Sequence, residues 1–334
     1  MTATQTTPAR APRRGLPSMT VLGPILALLV LLAIGMFLNE NFLSHANITN
    51  VLARSAFIGI IAVGMTFVIT AGGLDLSVGS MAAFIAGLMI LVMNAALPAL
   101  GIGVPIILLG MATAVAAGLA AGFLNGILIT SLGIEAFIVT LGSMGIYRSL
   151  VTWLADGGTL SLDFGLRTFY RPVYYDGILG IGWPIIVFAV VVILGEIAMR
   201  SAVFGRHCAA IGSNDQVARY SSINVNRVRL MTYVFLGLLV GVATIMYVPR
   251  LGSASASTGL LWELEAIAAV IIGGTVLKGG FGRVWGTVIG VLILSLIGNI
   301  LNLTDLVSPY LNGAIQGAII ILAVILQREG RAGG

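Results

Sequence analysis

Residues 61–79 read IAVGMTFVITAGGLDLSVG: an apolar run, a glycine-rich break with one acidic residue, and the start of a second apolar run. The first run shows no alternation of polar and apolar residues, which the strands of a membrane barrel would need. A continuous apolar run satisfies its backbone hydrogen bonds inside lipid only as a helix. This stretch therefore predicts two membrane-spanning helices that meet at a break near residues 72–80.

The whole chain has the same apolar character. Its 334 residues are 58% hydrophobic and 9% charged, and the mean hydropathy is +1.08. A soluble domain carries roughly 25% charged residues, so this chain has too few to cover a water-facing surface. The composition excludes an ordinary soluble domain and predicts an all-α polytopic membrane protein. The single cysteine, Cys208, excludes an intrachain disulfide.

Apolar runs of about 20 residues, the length that crosses a bilayer as a helix, predict about ten transmembrane helices. These runs are residues 19–38, 51–70, 78–97, 104–130, 136–154, 183–199, 230–248, 264–277, 284–303 and 310–326. The eighth run, 264–277, is short enough to be re-entrant instead. An even number of spans places both termini on the same side of the membrane.

Arginines predict which side that is. The net charge of +5 rests on sixteen arginines and one lysine, which concentrate beside the ends of apolar runs. In a ten-span arrangement the amino-terminal tail, the loop at 200–229 and the carboxyl-terminal end share one side, and all three are rich in arginine. The positive-inside rule makes this side cytoplasmic. Because the basic residues follow the membrane pattern, no nucleic-acid partner is expected.

The sequence lacks the usual signatures of an enzyme. The phosphate-binding loop needs a lysine followed by Ser or Thr, but the only lysine, Lys278, precedes Gly279. Two histidines and one cysteine argue against a zinc site of the usual ligand types, and no G-x-S-x-G motif occurs. We therefore expect no catalytic residues, no metal and no cofactor. If transport consumes ATP, a partner subunit binds it.

Three polar residues near or inside the apolar runs are candidates for a solute pathway: Asp75, Asn125 and Thr140. Asp75 in the glycine-rich break has three possible roles. It can cap the helix that begins near Leu76, bond a neighbouring helix, or contact a solute. Asn125 and Thr140 would suit a polar pathway, although such residues more often hold helices together.

The stretch 262–275 carries a fourth pathway candidate, Glu265. Glu263 and Glu265 are two positions apart, so on a helix they point to different faces, one towards solvent and one inwards. The alternative is that both acids favour the positive end of a helix. The surrounding stretch 266–290 has the same order of helix, glycine-rich break and helix as 61–79. Paired spans interrupted by glycine point to a transport pathway.

The polar stretch 205–229 is expected on the cytoplasmic side. Asp215 is predicted to cap a short amphipathic helix, 216–221, that lies along the membrane surface. Such a helix can dock a soluble partner. The arginines alone would also suit an ordinary cytoplasmic loop.

Together these segments resemble the permeases of ribose-, xylose- and galactoside-type ABC importers. The matching stretches are 72–80 (GGLDLSVGS), 137–142 (FIVTLG), 212–219 with 223–225, and 263–280 (ELEAIAAVIIGGTVLKGG). The resemblance runs from about residue 47 to 326. The family usually has Asp at the position of Glu265 and Gly at that of Ser222.

The resemblance implies a permease that passes a monosaccharide or polyol across the bacterial inner membrane by alternating access. It implies three partners: an ABC ATPase subunit, a periplasmic solute-binding protein and a second copy of the permease in a homodimer. It also implies that the ATPase-coupling segment includes Gly212, Asn214, Asp215, Ala218 and Arg219. The alternatives are a permease for another small polar solute, such as branched-chain amino acids, or a gradient-driven secondary transporter.

The resulting domain organisation is simple. Residues 1–18 are predicted to form a disordered cytoplasmic tail, and residues 19–327 a single transmembrane permease domain. The coupling loop, 205–229, lies within that domain. Residues 328–334 form a second cytoplasmic tail.

Overall fold

The computed structural model describes residues 19–304, 311, 313–315, 317, 318 and 321, with side chains from Leu22 onward. Seven helices in this part are long and apolar enough to cross a membrane. They are α2 (His45–Thr70), α3 (Val78–Leu100), α4 (Val104–Ser131), α5 (Ala136–Leu154), α8 (Trp183–Arg200), α11 (Val225–Leu251) and α13 (Val284–Thr304). The described chain is therefore mostly helical, as its composition predicts.

The three remaining predicted spans differ from these seven. Helix α1 (Met19–Leu38) contains a shorter apolar stretch, Leu22–Leu38. Helix α12 (Trp262–Ile272) has 11 residues, which at 1.5 Å per residue is about half the thickness of the hydrocarbon core. The segment predicted to cross at 264–277 is thus a half-length helix followed by irregular chain.

The last predicted span, 310–326, lies outside the described residues except at a few positions. Both predicted tails, 1–18 and 328–334, also lie outside them.

Short elements mark the two ends of the bundle. One end carries α6 (Phe164–Tyr170), α7 (Pro172–Tyr175) and the strands β1 (Thr159–Ser161), β2 (Gly177–Ile178), β3 (Ile181–Gly182) and β4 (Ser253–Ser255). The other end carries α9 (Val203–Ser213) and α10 (Asp215–Tyr220). Helices α8 and α11 each run from one end to the other, so we call these the strand end and the α10 end.

The strands form two small antiparallel pairs. β1 pairs with β4, with Leu160 opposite Ala254, and β2 pairs with β3 as a hairpin. The β1–β4 pair connects two loops that are far apart in the sequence. It therefore fixes the end of α11 against the loop that follows α5.

Helices α2 and α11 form the centre of the bundle. Within their most apolar windows, 83% and 72% of the residues are buried, against 28% for α5. Helix α11 also packs closely on α4: a Cβ added at Gly118 would overlap the carbonyl oxygen of Gly237, and the reverse also holds. Small residues of this kind let membrane helices approach backbone to backbone.

Ser222 joins α10 to α11 with a positive φ of 61°. This left-handed conformation costs a non-glycine residue about 1–2 kcal/mol, whereas glycine adopts it freely. The backbone therefore explains why glycine is usual at this position in the permease family that the sequence resembles.

Ser222→Gly is accordingly expected to stabilise the protein by about 1 kcal/mol, because it relieves the left-handed strain. The measurement is the midpoint of thermal unfolding in detergent. The control is Ser221→Gly, since Ser221 has φ −84° and its hydroxyl donates to the Val217 carbonyl at 3.0 Å. An equal gain from both substitutions would contradict the explanation.

Candidate functional site

A buried polar network surrounds Asp75 in the break between α2 and α3. Oδ1 of Asp75 accepts hydrogen bonds from the Ser77 N–H at 2.7 Å and the Ser77 hydroxyl at 2.6 Å. Nδ2 of Asn125 on α4 donates to Asp75 Oδ2 at 3.2 Å and to Ser77 Oγ at 3.0 Å. Ser143 on α5 donates to Asn125 Oδ1 at 2.6 Å. Both carboxylate oxygens are thus satisfied, and the network joins the break to α4 and α5.

The network bears on the possible roles of Asp75. Helix α3 begins at Val78, close to the predicted start, and its N-cap residue is Ser77. Asp75 accepts from the N–H of Ser77 and not from an N–H of the first helical turn, so it does not cap the helix itself. The bond from Asn125 links two elements, as the interhelix alternative predicts. Asp75 is 1% exposed and lines neither of the two cavities described below. Its part in a solute pathway stays a prediction.

Thr140 lies apart from this network. It is fully buried, and its hydroxyl donates to the carbonyl of Ala136, one turn earlier in α5, at 2.8 Å. Ser143, one turn later, makes the contact to Asn125 instead. The structure therefore brings Asp75 and Asn125 together and leaves the pathway role of Thr140 a prediction.

The two glycine-rich breaks meet at the α10 end, where both contact α9. The Gly280 N–H donates to the Thr70 carbonyl, the last of α2, at 2.9 Å. A Cβ on Gly212, in the last turn of α9, would overlap both of these backbone atoms. A Cβ on Gly279 would lie 2.9 Å from the Cα of Gly212 and 3.0 Å from the Cα of Gly72.

We call Gly72, Gly212, Gly279 and Gly280 the glycine crossing. Gly72, Gly279 and Gly280 have positive φ values of 77°, 88° and 86°, which glycine adopts without strain. The two stretches with the same layout, 61–79 and 266–290, are thus in contact through their breaks. Because backbone packs on backbone here, no flexible side chain can absorb a movement of α9.

Helix α10 is capped by Asn214, whose Oδ1 accepts from the N–H groups of Gln216 and Val217 at 3.1 Å each. The prediction that Asp215 caps this helix is therefore wrong. Asp215 is its first residue, and its carboxylate pairs with Arg219 at 3.6 Å and with Arg229 on α11 at 3.5 Å. Asn214 takes the cap because it keeps an extended backbone, φ −161° and ψ 110°, directly before the helix.

One face of α10 packs against α9 and α11, and the other face is exposed. Ala218 is buried in a small apolar cluster with Ile211 of α9 and Val225 of α11. Val217 and Tyr220, on the other face, are 57% and 90% exposed. Exposed apolar side chains on a short polar helix suit contact with another protein.

A cavity of about 690 Å³ opens at the α10 end. Its walls come from the break after α2, the connection between α4 and α5, and the start of α11. The polar or charged members of its lining are Thr130, Glu135, Arg219, Asn226, Arg229, Thr232 and Tyr233. The Tyr233 hydroxyl donates to the Leu74 carbonyl at 3.2 Å, so the wall of this cavity directly adjoins the Asp75 network.

A second cavity, of about 460 Å³, opens at the strand end. It lies among the first half of α2, the end of α11, the start of α12 and the end of α13. Its polar and charged lining residues are Asn50, Arg54, Arg250, Ser257, Glu265, Ser295, Asn299 and Asn302. Phe57, Tyr247 and Trp262 supply an aromatic part of the wall.

The two cavities lie at opposite ends of the same helices. Arg229 lines one and Arg250 lines the other, and along α11 they are separated by about 30 Å at 1.5 Å per residue. Between them the central helices are tightly packed, with Ile61, Met65 and Val240 fully buried. A solute that passes from one cavity to the other therefore needs a rearrangement of α2 and α11.

Helix α12 separates its two acids, as the spacing predicts. Glu263 is 8% exposed and its carboxylate lies against Gly79 of α3, whereas Glu265 lines the strand-end cavity. The structure therefore places Glu265 in the strand-end cavity, whose lining includes neither Asp75 nor Asn125, the residues with which the sequence grouped it.

Sequence reasoning missed the two arginines of the strand-end cavity, Arg54 and Arg250. Arg54 lies inside the apolar run 51–70, and an ionisable residue within a membrane span is a functional candidate by itself. That signal was present in the sequence. Arg250 and the aromatic residues had no comparable signal, because they come from separate helices and meet only in the fold.

Comparison with known proteins identifies relatives that are all described as permeases. The profile of the family described as "Branched-chain amino acid transport system / permease component" matches residues 47–324. The ribose import permease protein of Bacillus subtilis is 39% identical, over 93% of this chain and 94% of that protein. The galactose/methyl galactoside import permease protein of Salmonella typhimurium is 34% identical, over 91% and 93%. The xylose transport system permease protein of Haemophilus influenzae is 32% identical, over 85% and 89%.

Proposed function

Because the chain belongs to this family of transport-system permease components, we propose that it forms the membrane pathway of an ATP-driven sugar importer. It is a multi-pass protein of the bacterial inner membrane. Relatives are named for ribose, xylose, galactose and D-allose, which favours a monosaccharide or polyol over a branched-chain amino acid.

The pair of cavities is the observation that carries this proposal. A polar cavity opens at each end of α2 and α11, and a packed core closes the space between them. The closed core fits alternating access, in which the pathway is never open to both sides of the membrane at once and a rearrangement moves the solute from one cavity to the other. Glu265 belongs to one cavity, and the Asp75–Asn125 network adjoins the other.

In this proposal the α10 end faces the cytoplasm and the strand end faces outward. The predicted cytoplasmic arginines of α9, α10 and the start of α11 lie at the α10 end, and Lys278 and Arg283 are near the glycine crossing there. The segment 264–277 crosses as α12 plus irregular chain. With α1 and 310–326, the chain then crosses the membrane ten times, and both termini are cytoplasmic.

The proposal requires three partners. An ABC ATPase subunit docks on the exposed face of α10 and hydrolyses the ATP, since the only lysine is not part of a phosphate-binding loop. A solute-binding protein delivers the sugar at the strand end. A second copy of the chain packs on α5, where Gly142 and Gly145 have no atom near a Cβ position and leave room for a close helix approach.

Co-purification and uptake test this function together. The tagged chain, produced at native level in its own bacterium and extracted gently, is expected to bring an ABC ATPase subunit with it in about equal amount. The reconstituted complex should then import D-ribose, D-xylose, D-allose or D-galactose only when ATP is supplied. If the chain purifies alone and moves solute when an ion gradient is imposed on the vesicles, it is a secondary transporter and the proposal is wrong.

The α10 surface gives a sharper prediction within the same experiment. Tyr220→Ala combined with Val217→Ala is expected to remove most of the ATPase from the purified complex, because both side chains are exposed and support no internal contact of the cluster around Ala218. The expected loss is about 2 kcal/mol or more of binding, typical of an aromatic anchor. Leu179→Ala is the matched control, since Leu179 is 97% exposed at the strand end. Unchanged ATPase recovery in the double variant would exclude α10 as the docking helix.

A further inference from the structure

The strand-end cavity has the size and lining of a ligand site. Its volume of about 460 Å³ falls within the roughly 300–1,000 Å³ of small-molecule pockets. We propose that it is a binding site for one monosaccharide, which the sugar occupies before the membrane pathway rearranges. This inference rests on the proposed import function and assigns the site at which this chain itself recognises the sugar.

An aromatic cluster builds one part of the cavity wall. The rings of Phe57 and Trp262 are nearly parallel, with centroids 6.3 Å apart and an interplanar angle of 9°. Tyr247 meets both rings edge-on, at 5.5 Å and 5.1 Å. Tyr174 of α7 stacks with Phe57 at 5.9 Å. Four different helices thus fix these rings in place before any ligand binds, which lowers the entropic cost of binding.

Arg54 is the second observation that points to a polar ligand. It lies in α2, the most buried of the candidate spans, yet it is exposed and lines the cavity. A guanidinium within a membrane span is stable only beside water or polar groups. Its forked N–H donors suit two neighbouring oxygens, such as the vicinal hydroxyl groups of a sugar.

The remaining polar lining favours a sugar over an amino acid. Five neutral side chains that donate and accept hydrogen bonds line the cavity: Asn50, Ser257, Ser295, Asn299 and Asn302. Within the protein, Asn299 exchanges hydrogen bonds with Asn47, and the Ser257 hydroxyl bonds that of Ser255. A sugar presents hydroxyl groups that each donate and accept, together with C–H groups that pack on aromatic rings. Four aliphatic side chains, those of Val51, Ile58, Leu260 and Leu261, also line the cavity, so the preference for a sugar rests on the neutral hydrogen-bonding groups and the aromatic rings.

Protection of an engineered cysteine tests the site in the purified complex in lipid nanodiscs. Asn50→Cys places a thiol in the cavity wall, and Leu179→Cys places one at the same end outside it. The native Cys208 is fully buried, and burial raises the pKa of its thiol to about 12, so it does not react with maleimide at neutral pH.

The rate of maleimide labelling is measured with and without each of four sugars at millimolar concentration: D-ribose, D-xylose, D-allose and D-galactose. One of them is expected to slow labelling of Asn50→Cys about tenfold at about ten times its dissociation constant, by mass action. Labelling of Leu179→Cys is expected to stay unchanged. L-leucine is expected to protect neither thiol.

Trp262→Ala, introduced together with Asn50→Cys, tests the aromatic wall. The concentration for half-protection is expected to rise about tenfold, which corresponds to about 1.4 kcal/mol. Trp183→Ala is the matched control, because Trp183 lies at the strand end but does not line the cavity. An equal shift in both tryptophan variants would overturn the assignment of the aromatic wall.

The possible outcomes distinguish a wrong assignment of the sugar site from a wrong proposal of the import function. If the complex imports one of the four sugars and that sugar leaves Asn50→Cys labelling unchanged, the cavity is not the site, and the importer proposal stands. If L-leucine protects and no sugar does, the site is an amino-acid site and the inference is wrong. If a sugar protects but ATP drives no uptake, the site is upheld and the proposed function is wrong.

Discussion

Gly212→Ala is expected to abolish most ATP-driven uptake and to destabilise the protein, although it adds a single methyl group. The new Cβ would overlap the Thr70 carbonyl oxygen and the Gly280 nitrogen, and it would break the hydrogen bond that these two atoms form at 2.9 Å. Overpacking typically costs about 1–3 kcal/mol. We expect the upper end of that range, because every atom in the way belongs to the backbone.

The functional effect has a physical reason of its own. The glycine crossing joins α9 to the break after α2 and to the break after α12, so a displacement of α9 reaches both breaks through direct backbone contact. Bistable packed interfaces amplify small shifts of this kind into larger rearrangements. If the ATPase moves α9 and α10 as one unit, the crossing passes that movement to the helices that line both cavities.

The experiment distinguishes loss of ATPase docking from loss of the movement that the glycine crossing passes on. The exposed face of α10 is unchanged in Gly212→Ala, so the ATPase should still co-purify while uptake at equal protein level is lost. Gly23→Ala on α1 is the control, because no atom lies within 4 Å of its Cβ position. Uptake by Gly212→Ala at the wild-type rate would show that α9 does not act through the crossing. Loss of the ATPase would assign the crossing to docking instead.

Much of this architecture could be predicted from hydropathy, because a helix that is exposed to lipid requires a long apolar run in the sequence. Helix α5 has the predicted limits, Ala136–Leu154. The prediction fails where a helix leaves the lipid. Helix α11 begins at Val225, five residues before the apolar run, because Asn224 caps it by accepting from the Arg227 N–H at 3.0 Å. Hydropathy indicates where the chain enters the membrane, whereas the capping residue determines where the helix begins.

The functional geometry was less accessible from the sequence. Gly72, Gly212 and Gly279 are far apart in the chain, and nothing local indicates that their backbones touch. The shared layout of 61–79 and 266–290 was the only hint. The strand-end cavity collects residues from four helices, and a single-sequence pattern cannot pair helices in space. The local signals for that cavity were the charge of Arg54 inside an apolar run and the acid Glu265, which the sequence had indicated as a pathway candidate.

Asp75→Ala is expected to be among the most damaging single substitutions in the described chain. It removes the acceptor for the Ser77 N–H, the Ser77 hydroxyl and the Asn125 amide, all of them buried. A buried donor left without an acceptor costs about 1–3 kcal/mol, and this substitution leaves several such donors at one site. The expected result is a low yield and a large drop in the unfolding midpoint in detergent. Asp163→Ala, which removes an exposed cap of α6, should cost only about 1 kcal/mol.

Asp75→Asn should be milder, because the network can reorganise around an amide. Asn125 can rotate its side chain by 180° so that its oxygen accepts from the new amide and its nitrogen donates to Ser143. The substitution then loses one hydrogen bond and the charge, at a cost of about 1–2 kcal/mol. Wild-type stability without uptake in this variant would show that the solute pathway needs the charge of Asp75.

Exchange of the two groups gives the decisive comparison. Asn125→Asp alone places two carboxyl groups about 3 Å apart in a buried site, where both cannot ionise, and should be less stable than the wild type. Asp75→Asn added to Asn125→Asp restores one acid and one amide, so the double variant should be more stable than Asn125→Asp alone. Such coupling requires direct contact between the two side chains. If the stability losses of Asp75→Asn and Asn125→Asp simply add in the double variant, the two side chains do not share a network. The network would then not be what holds the break between α2 and α3 in place.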